Sequence, residues 1–194
     1  MLYAKEVGEV QSILNELKVP YYLNAGTALH LRKFFDDKNG DCDIRVYHPD
    51  IKALFEVFRE RYPDSISLRP PLKYSGGTYD TFCIELELGT SFDIYTEMIA
   101  DCDIGRFVFP FDEETFADVD HVGFENLILP VASLENLLLY YLILRRGRKD
   151  KKDDGIGIRN ILAAKGFDPE KFEKIITKLP YREKVKEIYR EYKK

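Results

Sequence analysis

At 194 residues, 45% apolar and 32% charged, the chain has material for one ordinary domain with a sizeable core under a heavily ionised surface, which excludes global disorder and leaves two full domains unexpected. Its net charge of −5 speaks against a protein that coats DNA irrespective of sequence, because that affinity comes from neutralising phosphates. No apolar run approaches the roughly 18 residues that cross a bilayer, since Leu137 to Leu144 is closed at once by Arg145 and Arg146.

Apolar residues at Tyr3, Val7, Val10, Ile13, Leu14 and Leu17 follow a helical period that Pro20 stops. Tyr21 to Leu23 reads as a short strand, Thr27 to Phe35 as a second helix, and Asp36 to Gly40 as a turn. Cys42, Ile44 and Val46 then alternate with Asp41, Asp43 and Arg45, the period-2 pattern of a strand with one buried face. A helix from Asp50 to about Tyr62 follows. Ser65 to Arg69, Thr81 to Leu88 and Ser91 to Thr96 predict further strands, parted by Gly76-Gly77 and Gly89, and Val119 to Leu129 more short extended pieces. Ser133 can cap a long helix running through Glu135 to about Arg146, and the remainder is helical over 156–164, 169–178 and 181–192. Sheet first and helices after predicts an α+β fold with a mixed sheet: a core over 1–130 and a helical portion over 131–194, packed on it as one unit.

Three cysteines, Cys42, Cys83 and Cys102, without a Cys-x-x-Cys pair predict reduced thiols, neither a disulfide framework nor a thiolate zinc site. Histidines scattered at 30, 48 and 121 make no imidazole cage, so any metal here is expected to be hard and bound by oxygen. The start, Met1 to Glu6, lacks the regions of a signal peptide, and the expected location is cytoplasmic. One glutamine, Gln11, beside abundant Lys, Glu and Arg is the compositional lean of thermophile proteins.

Three groups of residues are suited to chemistry. Asp41 and Asp43 are two carboxylates at i and i+2 on one side of a strand, about 7 Å apart at the backbone, so their ends can reach a shared cation. The tetrapeptide Asp101-Cys102-Asp103-Ile104 repeats the pattern, but Gly105 and Arg106 break the alternation after it, and it reads as a loop. Asn24-Ala25-Gly26-Thr27 lies where a strand turns into a helix; free N–H groups, a glycine and a hydroxyl there form a phosphate-binding arrangement, or else Thr27 simply caps the helix. Asp93, in Ser91-Phe92-Asp93-Ile94-Tyr95, points away from the buried face marked by Phe92 and Ile94.

Together these pieces resemble the nucleotidyltransferase superfold related to DNA polymerase β, in its minimal form. The family pattern is Gly with Gly or Ser, a spacer, then acid, apolar, acid, apolar, and a third acid on a later strand. Here Gly26-Thr27 is followed by 13 residues and then Asp41-Cys42-Asp43-Ile44, with Asp93 as the third acid. Thr27 departs from Gly or Ser, and Cys42 takes the apolar slot. Pro130 to Glu135, the apolar helix after it, and Arg148-Lys149-Asp150-Lys151-Lys152-Asp153 look like the closing motif of nucleotidyltransferases similar to the AbiEii toxins, with Tyr141 where that family carries a lysine.

The resemblance implies a mixed-sheet nucleotidyltransferase core flanked by helices. It implies transfer of a nucleoside monophosphate from a nucleoside triphosphate to a hydroxyl on a small molecule, protein or RNA, releasing pyrophosphate. Two Mg2+ or Mn2+ ions would be held by Asp41, Asp43 and Asp93, with Gly26, Thr27, Lys149 and Asp150 contacting the nucleotide. The same acids also suit a phosphodiesterase or nuclease, and the same scaffold a non-catalytic nucleotide-binding protein with an antitoxin-like partner. One expectation comes from register alone. If Ile84-Leu86 faces Ile94-Phe92 across a loop such as Leu88-Gly89-Thr90, then Glu85 stands opposite Asp93, which calls for a cation nearby or a Glu85 bent to solvent.

Overall fold

A seven-stranded mixed sheet carries the α+β fold in the computed structural model, which describes residues 2–34, 41–74, 77–79, 81–102, 105–144 and 154–193. The chain runs α1 (Ala4–Glu16), β1 (Tyr21–Leu23), α2 (Ala25–Leu31), β2 (Cys42–Val46), α3 (Ile51–Arg61), β3 (Ile66–Arg69), β4 (Leu72–Tyr74), β5 (Gly77–Tyr79), β6 (Cys83–Glu87) and β7 (Ser91–Tyr95). It continues through β8 (Ile99–Cys102), β9 (Gly105–Val108), α4 (Glu113–Ala117), β10 (Val119–Phe124), β11 (Leu127–Ala132), α5 (Leu134–Leu144), α6 (Asp154–Leu162), α7 (Pro169–Thr177) and α8 (Arg182–Tyr192).

The main sheet has the order β10-β11-β1-β2-β7-β6-β3, with β1 parallel to β11 and β2 parallel to β7. Ile44, Ile84, Leu86, Phe92 and Ile94 are at most 2% exposed and form its buried face, as the period-2 pattern requires. Helix α3 lies against β3 and β6, contributing Leu54 and Phe58 at an i, i+4 spacing. Its start is fixed by Asp50, whose carboxylate accepts the N–H groups of Lys52 and Ala53 at 2.9 and 3.2 Å. Helix α1 is tied to the β6–β7 turn, where Glu6 accepts the Gly89 N–H at 2.8 Å and also that of Thr90. A Cβ on Gly89 would come within 2.6 Å of that carboxylate, so a larger residue there would displace the Glu6 side chain from the turn.

Helix α5 is apolar on every side, and every residue of it but Asn136 is buried. It packs against α2, β8 and the three helices that follow. Ser133 accepts the Asn136 N–H at 3.3 Å and so caps it, as expected. Removing a core side chain such as Leu138 would cost about 2–5 kcal/mol.

Several boundaries differ from the sequence reading. Helix α2 begins at Ala25, so Gly26 and Thr27 sit inside its first turn instead of before it. Strand β11 runs on to Ala132, straight through Pro130, whose partner in β10 is His121, while β1 meets β11 at Val131. A second, four-stranded sheet of order β4-β5-β8-β9 was not expected at all. Asp101 and Cys102 belong to it and are not loop. Gly105 at φ 107° opens β9, and Arg106 pairs with Asp101 across the hairpin at 3.6 Å.

Candidate functional site

The face of the main sheet opposite Ile44, Ile84 and Ile94 carries two rows of mostly polar side chains, the second of them largely buried. In the first, Asn24 donates its backbone N–H to the Asp43 carbonyl at 2.9 Å, Asp43 is the register partner of Asp93, Asp93 of Glu85, and Glu85 of Ser67. In the second, Tyr22, Arg45, Tyr95, Cys83 and Arg69 are partners in turn. Adjacent strands lie about 4.8 Å apart, so Asp43, Asp93 and Glu85 are immediate neighbours. The expected pairing of Glu85 with Asp93 is present, and the loop between β6 and β7 is Leu88-Gly89-Thr90.

Asp41 lies just ahead of β2 with its side chain exposed, while Asp43 and Asp93 are half-buried. Thr27 holds this entry to the strand: its hydroxyl donates to the Asp41 carbonyl and accepts the Asp43 N–H, both at 2.9 Å. At 5% exposure it is a strut beneath the two acids. It is not a cap for its own helix. Asn24 precedes α2 without capping it, its amide donating instead to the Tyr95 hydroxyl at 3.1 Å. Gly26 lies in the first turn of α2, where backbone N–H groups have no intrahelical partner.

The cation required beside Glu85 and Asp93 is Arg69, at the end of edge strand β3. Its Nε donates to Glu85, and its Nη2 donates to the Asp93 carboxylate at 3.2 Å. Glu85 is steadied from the other side by the Ser67 hydroxyl at 3.0 Å. Burial pushes the Asp93 carboxyl up to about 6, with Arg69 opposing the shift and the charges of Asp41 and Glu85 adding to it. Burial also pushes the Cys83 thiol far up, helped by Asp93. That thiol is therefore an inert neighbour and not a nucleophile.

Carboxylate oxygens are the ligands that Mg2+ and Mn2+ take. Burial outweighs the Arg69 contact in the upward shift of Asp93, so the ionised carboxylate is only partly compensated on this face. In donor chemistry the residues fit a hard divalent cation. Among the described residues, though, no three His, Cys, Asp or Glu side chains are gathered as a metal cluster.

Arg45 is the face's other guanidinium and is 3% exposed. It donates to the Tyr22 hydroxyl at 2.9 Å and the Thr96 carbonyl at 3.2 Å, and lies 5.7 and 5.6 Å from the ring centres of Phe111 and Phe116. It is a buried brace for the second row. Tyr141 is buried in α5 beside Gly157 of α6. Lys149 and Asp150 lie outside the described residues.

Sequence reasoning missed Arg69, Arg45 and Tyr95. Arg69 has a signal in hindsight, since it follows Ser67 at the strand period, but only the β3–β6 register tells which carboxylates it meets.

No protein-family model and no curated protein matches this chain. Among solved structures it is similar to an antigenic nucleotidyltransferase-like protein from Paracoccidioides brasiliensis, at 13% identity and a TM-score of 0.48, over 96% of this chain and 85% of that one. Any functional reading therefore rests on the side chains of the sheet face. Among the described residues, no helix is long and apolar enough to cross a membrane.

Proposed function

We propose that the chain is a metal-dependent nucleotidyltransferase that moves a nucleoside monophosphate from a nucleoside triphosphate to a hydroxyl acceptor. The observation that carries this reading is the register pairing of Asp43 with Asp93 on parallel strands, with the Asp41 charge close enough to act on Asp93. Asp41, Asp43 and Asp93 would hold Mg2+ or Mn2+, two ions in the full site, and the bound cations would supply charge neutralisation on the phosphates. The acceptor oxygen forms the new bond to the α-phosphorus as the bond to the bridging oxygen breaks, and pyrophosphate leaves. Asp93 would hold the cation nearer the acceptor hydroxyl, whose proton affinity falls there so that its proton passes to solvent water. Thr27 contributes by fixing the backbone between the first two acids, and Gly26 by leaving room for the terminal phosphates. Lys149 and Asp150 are assigned to the nucleotide on the family motif alone.

The test is incubation with α-labelled nucleoside triphosphates, Mn2+ and a panel of RNA, protein and small hydroxyl acceptors. Label transfer and pyrophosphate release are expected, and Asp43→Asn should abolish both without unfolding the chain. Equal turnover in that variant would defeat the assignment.

A second reading is favoured by the contact between Arg69 and Asp93, which engages one of the three acids. On it the scaffold binds nucleotide without transferring it and works through an antitoxin-like protein partner. Triphosphate binding with no pyrophosphate release across the panel would select this alternative.

A further inference from the structure

The ion pairs at the edge of the candidate site are unequal. Glu85 is fastened at both oxygens, Oε1 by the Arg69 Nε and Oε2 by the Ser67 hydroxyl at 3.0 Å. Among the described residues, Asp93 is reached by the second arm of the same guanidinium, Nη2, at 3.2 Å. Arg69 sits on the edge strand and Asp93 two strands inward, so Arg69 crosses Glu85's strand to touch it. Its side chain is 23% exposed, and those of Glu85 and Asp93 are 35% and 26% exposed, so the bridge stands at the solvent boundary and not in the core. The other guanidinium of this face, Arg45, is turned to Tyr22 and Thr96.

A guanidinium anchored on Glu85 by one arm and touching Asp93 with the other can release Asp93 without leaving its strand. Directional hydrogen bonds to a carboxylate compete with any other cation for the same oxygens. We propose that Arg69, anchored by Glu85 and Ser67, is a positioning residue that masks the Asp93 carboxylate, and that a divalent cation binds by displacing its Nη2 arm while the Glu85 pair persists. Glu85 is then a holder for Arg69 and not a metal ligand. This inference rests on the metal-dependent reading above, and it adds a control on how the third acid is admitted to the site.

The experiment is Mn2+ titration calorimetry on the full chain, in the wild type and in Asp43→Asn, Arg69→Lys and Arg69→Gln/Glu85→Gln. The double variant removes one positive and one negative charge, so the net charge of the chain is unchanged while the direct hold on Asp93 is lost. Losing a hydrogen bond to a charged group should tighten Mn2+ binding by about tenfold. Arg69→Lys keeps the charge but cannot span both carboxylates; it should tighten binding severalfold and serves where the double variant does not fold. Wild-type affinity or weaker in both Arg69 variants, with Asp43→Asn still abolishing binding, overturns the mask and leaves the metal site standing. Mn2+ binding that ignores Asp43→Asn, or is missing from every form, overturns both.

Discussion

Asp43 and Asp93 face one another across β2 and β7, two strands that run parallel although 50 positions separate their carboxylates in the chain. Parallel neighbours need a long crossover, which here includes α3, β3 and β6 and places the two acids side by side. Burial is the main cause of the upward push on the Asp93 carboxyl, with the charges of Asp41 and Glu85 adding to it and Arg69 opposing it.

The pH dependence of stability follows from that push. An aspartate in the unfolded chain titrates near 3.8, and Asp93 in the fold near 6. Between these values the folded state binds the extra proton, so the stability contributed below the lower value is lost as pH rises through the upper one. Asp93→Asn should therefore raise the melting temperature at pH 7.5, by the equivalent of about 1–3 kcal/mol, and make no difference below about pH 4. Thermal melts across that range check it. A variant less stable than wild type at pH 7.5 would mean that Arg69 more than compensates the charge.

Thr27 makes a separate prediction, because its hydroxyl both donates to and accepts from the backbone flanking Cys42. Thr27→Val preserves shape but takes the hydroxyl partner from a part-buried carbonyl and an N–H, at a cost of about 1–2 kcal/mol. Thr27→Ser restores both bonds and should recover most of the stability. Denaturant titrations of the two variants separate hydrogen bonding from packing. Equal loss in both would assign Thr27 to packing alone.

Ala25 has φ 46°, in the left-handed region, at the turn from β1 into α2. A residue with a Cβ pays about 1–2 kcal/mol there, and glycine relieves it while losing about 0.5–1 kcal/mol of unfolded-state entropy. Ala25→Gly should thus be neutral to slightly stabilising in a denaturant melt, whereas glycine elsewhere in α2 should destabilise.

The strand pattern of Cys42, Ile44 and Val46 and the paired hydrophobics of β6 and β7 were legible, because a one-residue slip would bury Asp43 or Asp93. The same logic reached the Glu85 and Asp93 pairing before any coordinates. The second sheet was not legible. Its strands are three or four residues long, and Asp101 and Arg106 satisfy each other across the hairpin in a way that alternation does not register. Arg69 escaped for another reason: its carboxylates come from β6 and β7, and which edge β3 occupies is a tertiary outcome. The start of α2 was misplaced because Asn24 spends its side chain on Tyr95 and not on a cap.

The last prediction concerns how the C-terminal helices are fastened. Glu135 is 3% exposed in α5 and accepts the Asp168 N–H at 2.8 Å, while Lys171 of α7 bridges Glu135 at 2.9 Å and Asp118 at 2.5 Å. Asp118 in turn accepts from Ser133 and Asn136 at the head of α5. Burial works against the Lys171 ammonium, yet hydrogen bonds to Asp118 and Glu135 hold its pKa above the ordinary value. Removing the cation leaves the buried Glu135 carboxylate with the Asp168 N–H and the more distant charge of Arg32, so Lys171→Met should cost about 3 kcal/mol. Glu135→Gln/Lys171→Met should recover part of that loss, because no buried charge is then stranded. Urea melts of the single and double variants give the coupling directly, and a double variant as unstable as the sum of its singles would show that Glu135 and Lys171 act independently.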